Sequence, residues 1–109
     1  GVYIVNLATD DTRVIFRPNY FDQILRDNNF LFRNSLRQFA ETFMETASWA
    51  DFRICYDFKA IEQRFKENKR IELTYKKIDG VRVALRILPA EDYADKKKNT
   101  LWIFEAIPD

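Results

Sequence analysis

The sequence predicts an α+β domain: an antiparallel sheet of five strands with several short helices packed on one face. Three observations carry that reading. Strand-like runs fill both ends of the chain, while helical periodicity fills the middle from Asn19 to Asn68. Asp79-Gly80 lies between two alternating runs, a strong short-range signal for a β-hairpin. The last run, Leu101 to Ile107, is apolar on both faces, which suits a central strand covered from both sides.

The elements follow in order. Val2-Tyr3-Ile4-Val5-Asn6-Leu7 is a β-rich run and Thr9-Asp10-Asp11 a polar turn cluster. Thr12 to Phe16 is a second strand, ended by Pro18, which lacks the donor a ladder needs. Asn19 can cap a short helix over Tyr20 to Asp27 with Phe21, Ile24 and Leu25 inward; Asn28-Asn29 breaks it. A longer helix is expected from Phe30 to Glu45. Phe32, Leu36, Phe39, Ala40 and Phe43 form its apolar stripe, and Arg33, Arg37, Gln38 and Glu41 its wet side. Ser48 with Asp51 resembles a capping box for a short helix through Trp49, Phe52 and Ile54. Asp57 caps a further helix, Phe58 to Glu67, with Phe58, Ile61 and Phe65 inward, and Asn68 suits its end.

The hairpin runs from Arg70 to Pro89, and its register decides which side chains share a face. A two-residue loop would set Tyr75 opposite Ala84 and Leu73 opposite Arg86, mixing charge with apolar groups. A three-residue loop, Ile78-Asp79-Gly80, with Gly80 left-handed in a bulge, separates the faces. It places Ile71, Leu73, Tyr75, Val83, Leu85 and Ile87 inward. Glu72, Thr74, Lys76, Arg82, Ala84 and Arg86 then face outward. A polar loop from Ala90 to Asn99 leads to the last strand, with Leu101 and Ile103 on one face and Trp102, Phe104 and Ala106 on the other. The first strand is also apolar on both faces. The helices can cover only one side, so the other side calls for a flanking segment or a second copy of the chain.

At 109 residues the chain is long enough for one domain, 1–109, with a real core. Hydrophobic residues make up 47% and aromatics 16%, so there is ample material for a filled core, a pocket or an apolar contact surface. Eighteen basic and seventeen acidic side chains nearly cancel, which leaves no global field to attract nucleic acid. Lys96-Lys97-Lys98 reads as a solvated loop tip. Cys55 is the single cysteine, so no internal disulfide can form, and a reducing, cytoplasmic setting is expected. No apolar run approaches membrane-spanning length. The chain opens without methionine, at Gly1, and reads as a segment of a longer protein.

Tyr3-Ile4-Val5-Asn6-Leu7, the helix led by Asp57-Phe58, the hairpin Glu72-Leu73-Thr74-Tyr75 with Asp79-Gly80 and Val83, and closing Leu101-Trp102-Ile103-Phe104-Glu105 occur in an order and spacing that resembles a PAS domain. The kind resembled stands upstream of bacterial diguanylate cyclase (GGDEF) or sensor kinase output domains. The resemblance implies a PAS-like five-stranded antiparallel sheet wrapped by helices around a possible ligand cavity. It also implies a homodimer formed through the outer sheet face, and output through a helix after the last strand to a covalently linked domain. The Asp-Ile-Thr that commonly closes such domains is replaced here by Ala106-Ile107-Pro108.

Candidate sites follow from the residue types. With no histidine and one cysteine, an ordinary zinc site or a haem with proximal histidine has no ligands. Carboxylates show no spaced cluster for Mg²⁺ or Ca²⁺. Arg53-Ile54-Cys55-Tyr56-Asp57 does not match the Asn-Cys-Arg-Phe setting of the photoactive flavin-cysteine adduct, and Cys55 reads as a structural hydrophobe. No phosphate loop or nucleophile elbow marks catalysis, so the segment reads as non-catalytic. A small-molecule pocket would lie between the inner sheet face and the helices, with Phe39, Phe43, Trp49, Tyr56, Phe58, Tyr75, Val83 and Leu85 as candidate lining residues. The alternative is that these aromatics simply fill the core, which the scarcity of polar residues on those faces favours. Tyr3, Val5, Trp102 and Phe104 are the candidate outer-face, dimer-forming residues. Two roles therefore stand side by side: a sensory module that controls an output domain, and a dimerisation module with no ligand.

Overall fold

In the computed structural model, residues 1–16, 19–94 and 96–108 are described, the side chains of Asn19 and Tyr20 excepted. The expected strand stop at Pro18 and the Asn19 cap lie outside them. The sheet strands are β1 (Val2–Asn6), β2 (Thr12–Phe16), β3 (Ile71–Lys76), β4 (Arg82–Pro89) and β5 (Asn99–Ile107). Between β2 and β3 come α1 (Asn19–Asp27), α2 (Phe32–Phe43), α3 (Trp49–Phe52) and α4 (Phe58–Lys66), with 3₁₀ turns at Thr46–Ser48 and Arg53–Tyr56. The sheet is antiparallel throughout, in the order β2-β1-β5-β4-β3. This is the α+β class expected, with the PAS-like five-stranded sheet that the resemblance implies. β5, apolar on both faces, takes the centre.

The β3–β4 hairpin adopts the bulged register. Ile71 pairs with Ile87, Leu73 with Leu85 and Tyr75 with Val83, while Glu72 meets Arg86 and Lys76 meets Arg82. Gly80 supplies the left-handed residue, with φ of +89°. The turn is tied by the Lys77 N–H to the Val81 carbonyl at 2.9 Å and by the Val81 N–H to Asp79 Oδ1 at 3.0 Å. Segregated faces and a glycine in the bulge thus point to one register, and the chain takes it.

One end of each edge strand is tied down by hydrogen bonds with the helical segment. Along β3, the Glu45 N–H donates to the Lys76 carbonyl at 2.9 Å, and the Ile78 N–H donates to the Phe43 carbonyl at 2.8 Å. The Lys76 N–H donates to Ser48 Oγ at 3.0 Å. Ser48 is therefore no helix cap: it makes no cap bond to α3, and the expected single short helix is split into 3₁₀ and α turns. At β2, the Thr12 N–H reaches the Phe30 carbonyl at 3.0 Å. Asn29 and Phe30 take positive φ to make that contact, which delays α2 to Phe32. Asp10, expected only as a turn residue, accepts from the Arg33 N–H at 3.0 Å and so caps α2 from across the fold. Asp57 does cap α4, accepting from the Ala60 N–H at 3.1 Å, an interaction usually worth about 1 kcal/mol.

The core lies between the helices and the inner sheet face. Phe21, Ile24 and Leu25 of α1, Phe32, Leu36, Phe39 and Ala40 of α2, and Phe58 and Ile61 of α4 are buried there. Ile71, Tyr75, Val83, Leu85 and Ile87 face them from the hairpin.

One expectation is overturned. Trp102, Tyr3 and Val5 are not on the outer face; all are buried under the helices. Phe104 shares their side, its ring centroid 5.7 Å from that of Tyr3. The reason is parity. Ile87 pairs with Trp102 and Leu85 with Phe104, so odd positions of β4 share a face with even positions of β5. Across β1 the same holds, Tyr3 opposite Trp102 and Val5 opposite Thr100. Val2, Ile4, Leu101 and Ile103 therefore form the apolar outer face.

Candidate functional site

The inner face loses side-chain volume along its length. From one end to the other, the paired positions of β4 and β5 run Ile87 with Trp102, Leu85 with Phe104, and Val83 with Ala106. At the large end, Trp102 is fully buried and packs edge-on against Phe32 at 4.7 Å between centroids. Its indole N–H donates to Thr100 Oγ1 at 2.8 Å, and that hydroxyl donates to the Val5 carbonyl at 2.8 Å. This chain lets an indole and a hydroxyl be buried without an unmet bond.

At the small end the helices do not close the gap that Val83 and Ala106 leave. A half-open cavity of about 200 Å³ remains. Phe21, Leu36 and Phe39 wall it from the helices, Tyr75, Val81 and Val83 from the hairpin, and Tyr3, Phe104 and Ala106 from β1 and β5, with the Gly1 backbone beside them. Lys77 completes the lining and is the one charged side chain in it among the described residues. Only 16% of that side chain is exposed, and Nζ lies 3.5 Å from Asp79 Oδ2. The Asp79 carboxyl is held below its ordinary range, first by the hydrogen bond from the Val81 N–H and further by the Lys77 charge.

Of the expected lining residues, Phe39, Tyr75 and Val83 border this cavity. Leu85 is buried in solid core, and Phe58 is buried beneath the Arg33 guanidinium, 4.7 Å from its ring centroid. Phe43 is half-buried on the far side of Phe39, at 5.8 Å between centroids. Trp49 is 42% exposed and joins Tyr56, Arg37, Glu41 and Arg53 around a separate depression on the helical surface. There Tyr56 sits beside Arg37, and burial, with the Cys55 side chain, pushes its phenol up to about 12, so it stays neutral. Cys55 itself is fully buried, and desolvation raises its thiol well above the ordinary range. An uncharged thiol with no access is a packing group.

Tyr3, Phe104, Ala106 and Lys77 are cavity residues that the sequence reading placed elsewhere or passed over. The signal for them was the decline from Trp102 through Phe104 to Ala106, which becomes informative once β5 is set inward by its even positions. No group of three or more potential metal ligands comes together among the described residues. No helix among them is long and apolar enough to cross a membrane. The chain matches no protein-family model, no curated protein and no solved structure.

Proposed function

We propose that this chain is a non-catalytic sensory module of the PAS kind, which controls a covalently linked output domain, a diguanylate cyclase, through occupancy of its cavity by a small ligand. The observation that carries this reading is the half-open, aromatic-walled cavity between the helices and the narrow end of the inner sheet face. A ligand there touches α1, α2, the hairpin and β5 together, so it can bias how helices pack on sheet. It must bind two packing states unequally, because equal affinity shifts nothing. β5 carries the response outward: its Phe104 and Ala106 line the cavity and its odd positions form the outer face. A reducing, cytoplasmic setting suits the unpaired, buried Cys55.

The test is thermal shift against a small-metabolite panel, with native mass spectrometry of the purified chain. A co-purifying compound, or a midpoint rise that scales with ligand concentration, supports sensing. A flat panel with no bound mass removes it.

A second reading rests on a different surface. Val2, Ile4, Leu101 and Ile103 are partly buried on the outer face, and Val2 pairs with Phe16 of β2, which is 68% exposed. Arg82, Arg86, Glu72 and Glu105 make the other half of that face polar, with Arg86 and Glu105 paired at 2.9 Å. An apolar half-face of this kind favours a homodimer, with dimer geometry as the signal or as the whole function. Sedimentation against concentration, with Ile103→Glu as the breaking variant, decides it.

A further inference from the structure

The depression on the helical surface has the parts of a binding site of its own. Trp49, Arg53 and Tyr56 follow at i, i+4 and i+7 through α3 and the 3₁₀ turn after it, so one ridge presents all three. Facing that ridge, Arg37, Ala40 and Glu41 share one side of α2 at i, i+3 and i+4. Together the six line a half-open space of about 220 Å³. The Arg37 guanidinium lies over the Tyr56 ring, 5.1 Å from its centroid, and not on Glu41 one turn along. The Arg37 and Glu41 charges both reach the Tyr56 phenol, with opposite effects on its proton. None of Arg37, Arg53 and Glu41 makes an ion pair among the described residues. Their two guanidiniums can therefore offer N–H forks to an anion with several acceptor oxygens, such as a phosphate. Trp49 adds an aromatic face: it is 42% exposed, whereas Trp102 is fully buried, and it meets no other ring among the described residues. Glu41 is an acceptor only, which suits a ring that carries N–H groups.

We propose that this depression binds a nucleoside phosphate, with its base stacked on Trp49, its phosphate on Arg37 and Arg53, and an amino group of the base donating to Glu41. Stacking tolerates any base, since each has a π-face, and the guanidiniums make the phosphate necessary. An acidic peptide would leave Trp49 unused and would meet the Glu41 carboxylate. A long nucleic acid would find no wider basic face to follow, because the charges of the chain nearly cancel. The depression shares no lining residue with the cavity under the sheet, so this site stands independently of the sensory reading.

Fluorescence titration of the whole chain tests this, because Trp102 is sealed in the core and Trp49 is the tryptophan that a bound ring can quench. The probes are adenosine monophosphate and adenosine, guanosine monophosphate and guanosine, and inorganic phosphate. Each nucleotide should quench and bind about tenfold tighter than its nucleoside, with the gap shrinking as salt rises. Inorganic phosphate should compete with the nucleotide without quenching. Arg37→Met and Arg53→Met should each remove most of the nucleotide's advantage and leave nucleoside binding unchanged, which also shows that the variants are folded. Trp49→Leu, followed by calorimetry, should weaken nucleotide and nucleoside alike by about tenfold. Nucleosides that bind as well as nucleotides overturn the proposal, as do arginine variants with unchanged nucleotide affinity. Nucleotide binding that leaves Trp49 unquenched, or no binding by any probe, overturns it too. A single-stranded oligonucleotide that binds about a hundredfold tighter than its mononucleotide overturns it in favour of a nucleic-acid surface.

Discussion

The two ends of the inner sheet face are built from the same strands to opposite purposes. Trp102 is fully buried against the ring of Phe32 and opposite Ile87, and each buried polar atom of the Trp102–Thr100 pair has a partner. Around Ala106, the same β4 and β5 border a cavity of about 200 Å³. Dense packing carries stability, because an interior without voids gains dispersion contacts from every atom. A cavity forgoes those contacts, and an empty apolar one is a standing cost. A fold that concentrates its tight packing at one end can carry a void at the other. The difference places the tight packing at the Trp102 end and the open volume at the Ala106 end, where the proposed ligand would sit.

The largest expected effect breaks the filled end. Trp102→Ala removes the largest fully buried side chain and should destabilise the domain by about 3–5 kcal/mol, enough to unfold much of it. Urea unfolding followed by circular dichroism measures it. Thr100→Val is subtler. Valine keeps the shape but leaves the Trp102 indole N–H and the Val5 carbonyl without their shared hydroxyl, and a loss of about 1–3 kcal/mol is expected. A loss below about 0.5 kcal/mol would mean that the hydroxyl relay is incidental to burying the indole.

These effects bear on which parts of the fold could be read from residues alone. The β3–β4 register was legible because turn chemistry and alternation agree: Gly80 must sit in the bulge, and only then do Tyr75, Leu73 and Ile71 face apolar partners. β5 was not legible in the same way. With Leu101 and Ile103 on one side and Trp102 and Phe104 on the other, alternation carries no direction, and the parity shows only in the pairing with β4. Thr100 was the available clue, a buried polar group that can satisfy an adjacent indole. Asp10 and Ser48 escaped for another reason. A cap or edge bond made 23 or 28 residues away leaves no local spacing to find. The cavity inherits the same problem, since its walls are Phe39, Tyr75 and Val83, foreseen as lining, together with Tyr3 and Phe104, assigned to the opposite face.

At the hollow end, Gly80→Ala probes the wall. A Cβ there meets nothing within 4 Å, so the cost is that of holding a substituted residue at φ of +89° rather than a clash. About 1–2 kcal/mol is expected. Because Lys77 and Val81 flank the bulge and line the cavity, any ligand response should weaken along with stability. Unchanged ligand affinity in the presence of that destabilisation would detach the turn from the site.

The smallest expected change in stability gives the sharpest separation of the two ends. Ala106 sits inward on β5 opposite Val83 and borders the open space, so Ala106→Phe continues the series of Trp102 and Phe104 into the cavity. The void can accept the ring without displacing buried neighbours, and stability should stay within about 1 kcal/mol of the parent, with a gain favoured over a loss. Ligand binding should nevertheless disappear, because the ring occupies the volume that a small ligand would fill. If Ala106→Phe destabilised the domain by as much as Thr100→Val, the region would be tightly packed in solution rather than hollow. If it bound ligand as well as the parent does, the responsive site would lie elsewhere, and the depression beside Trp49, Tyr56 and Arg37 would be the next place to substitute.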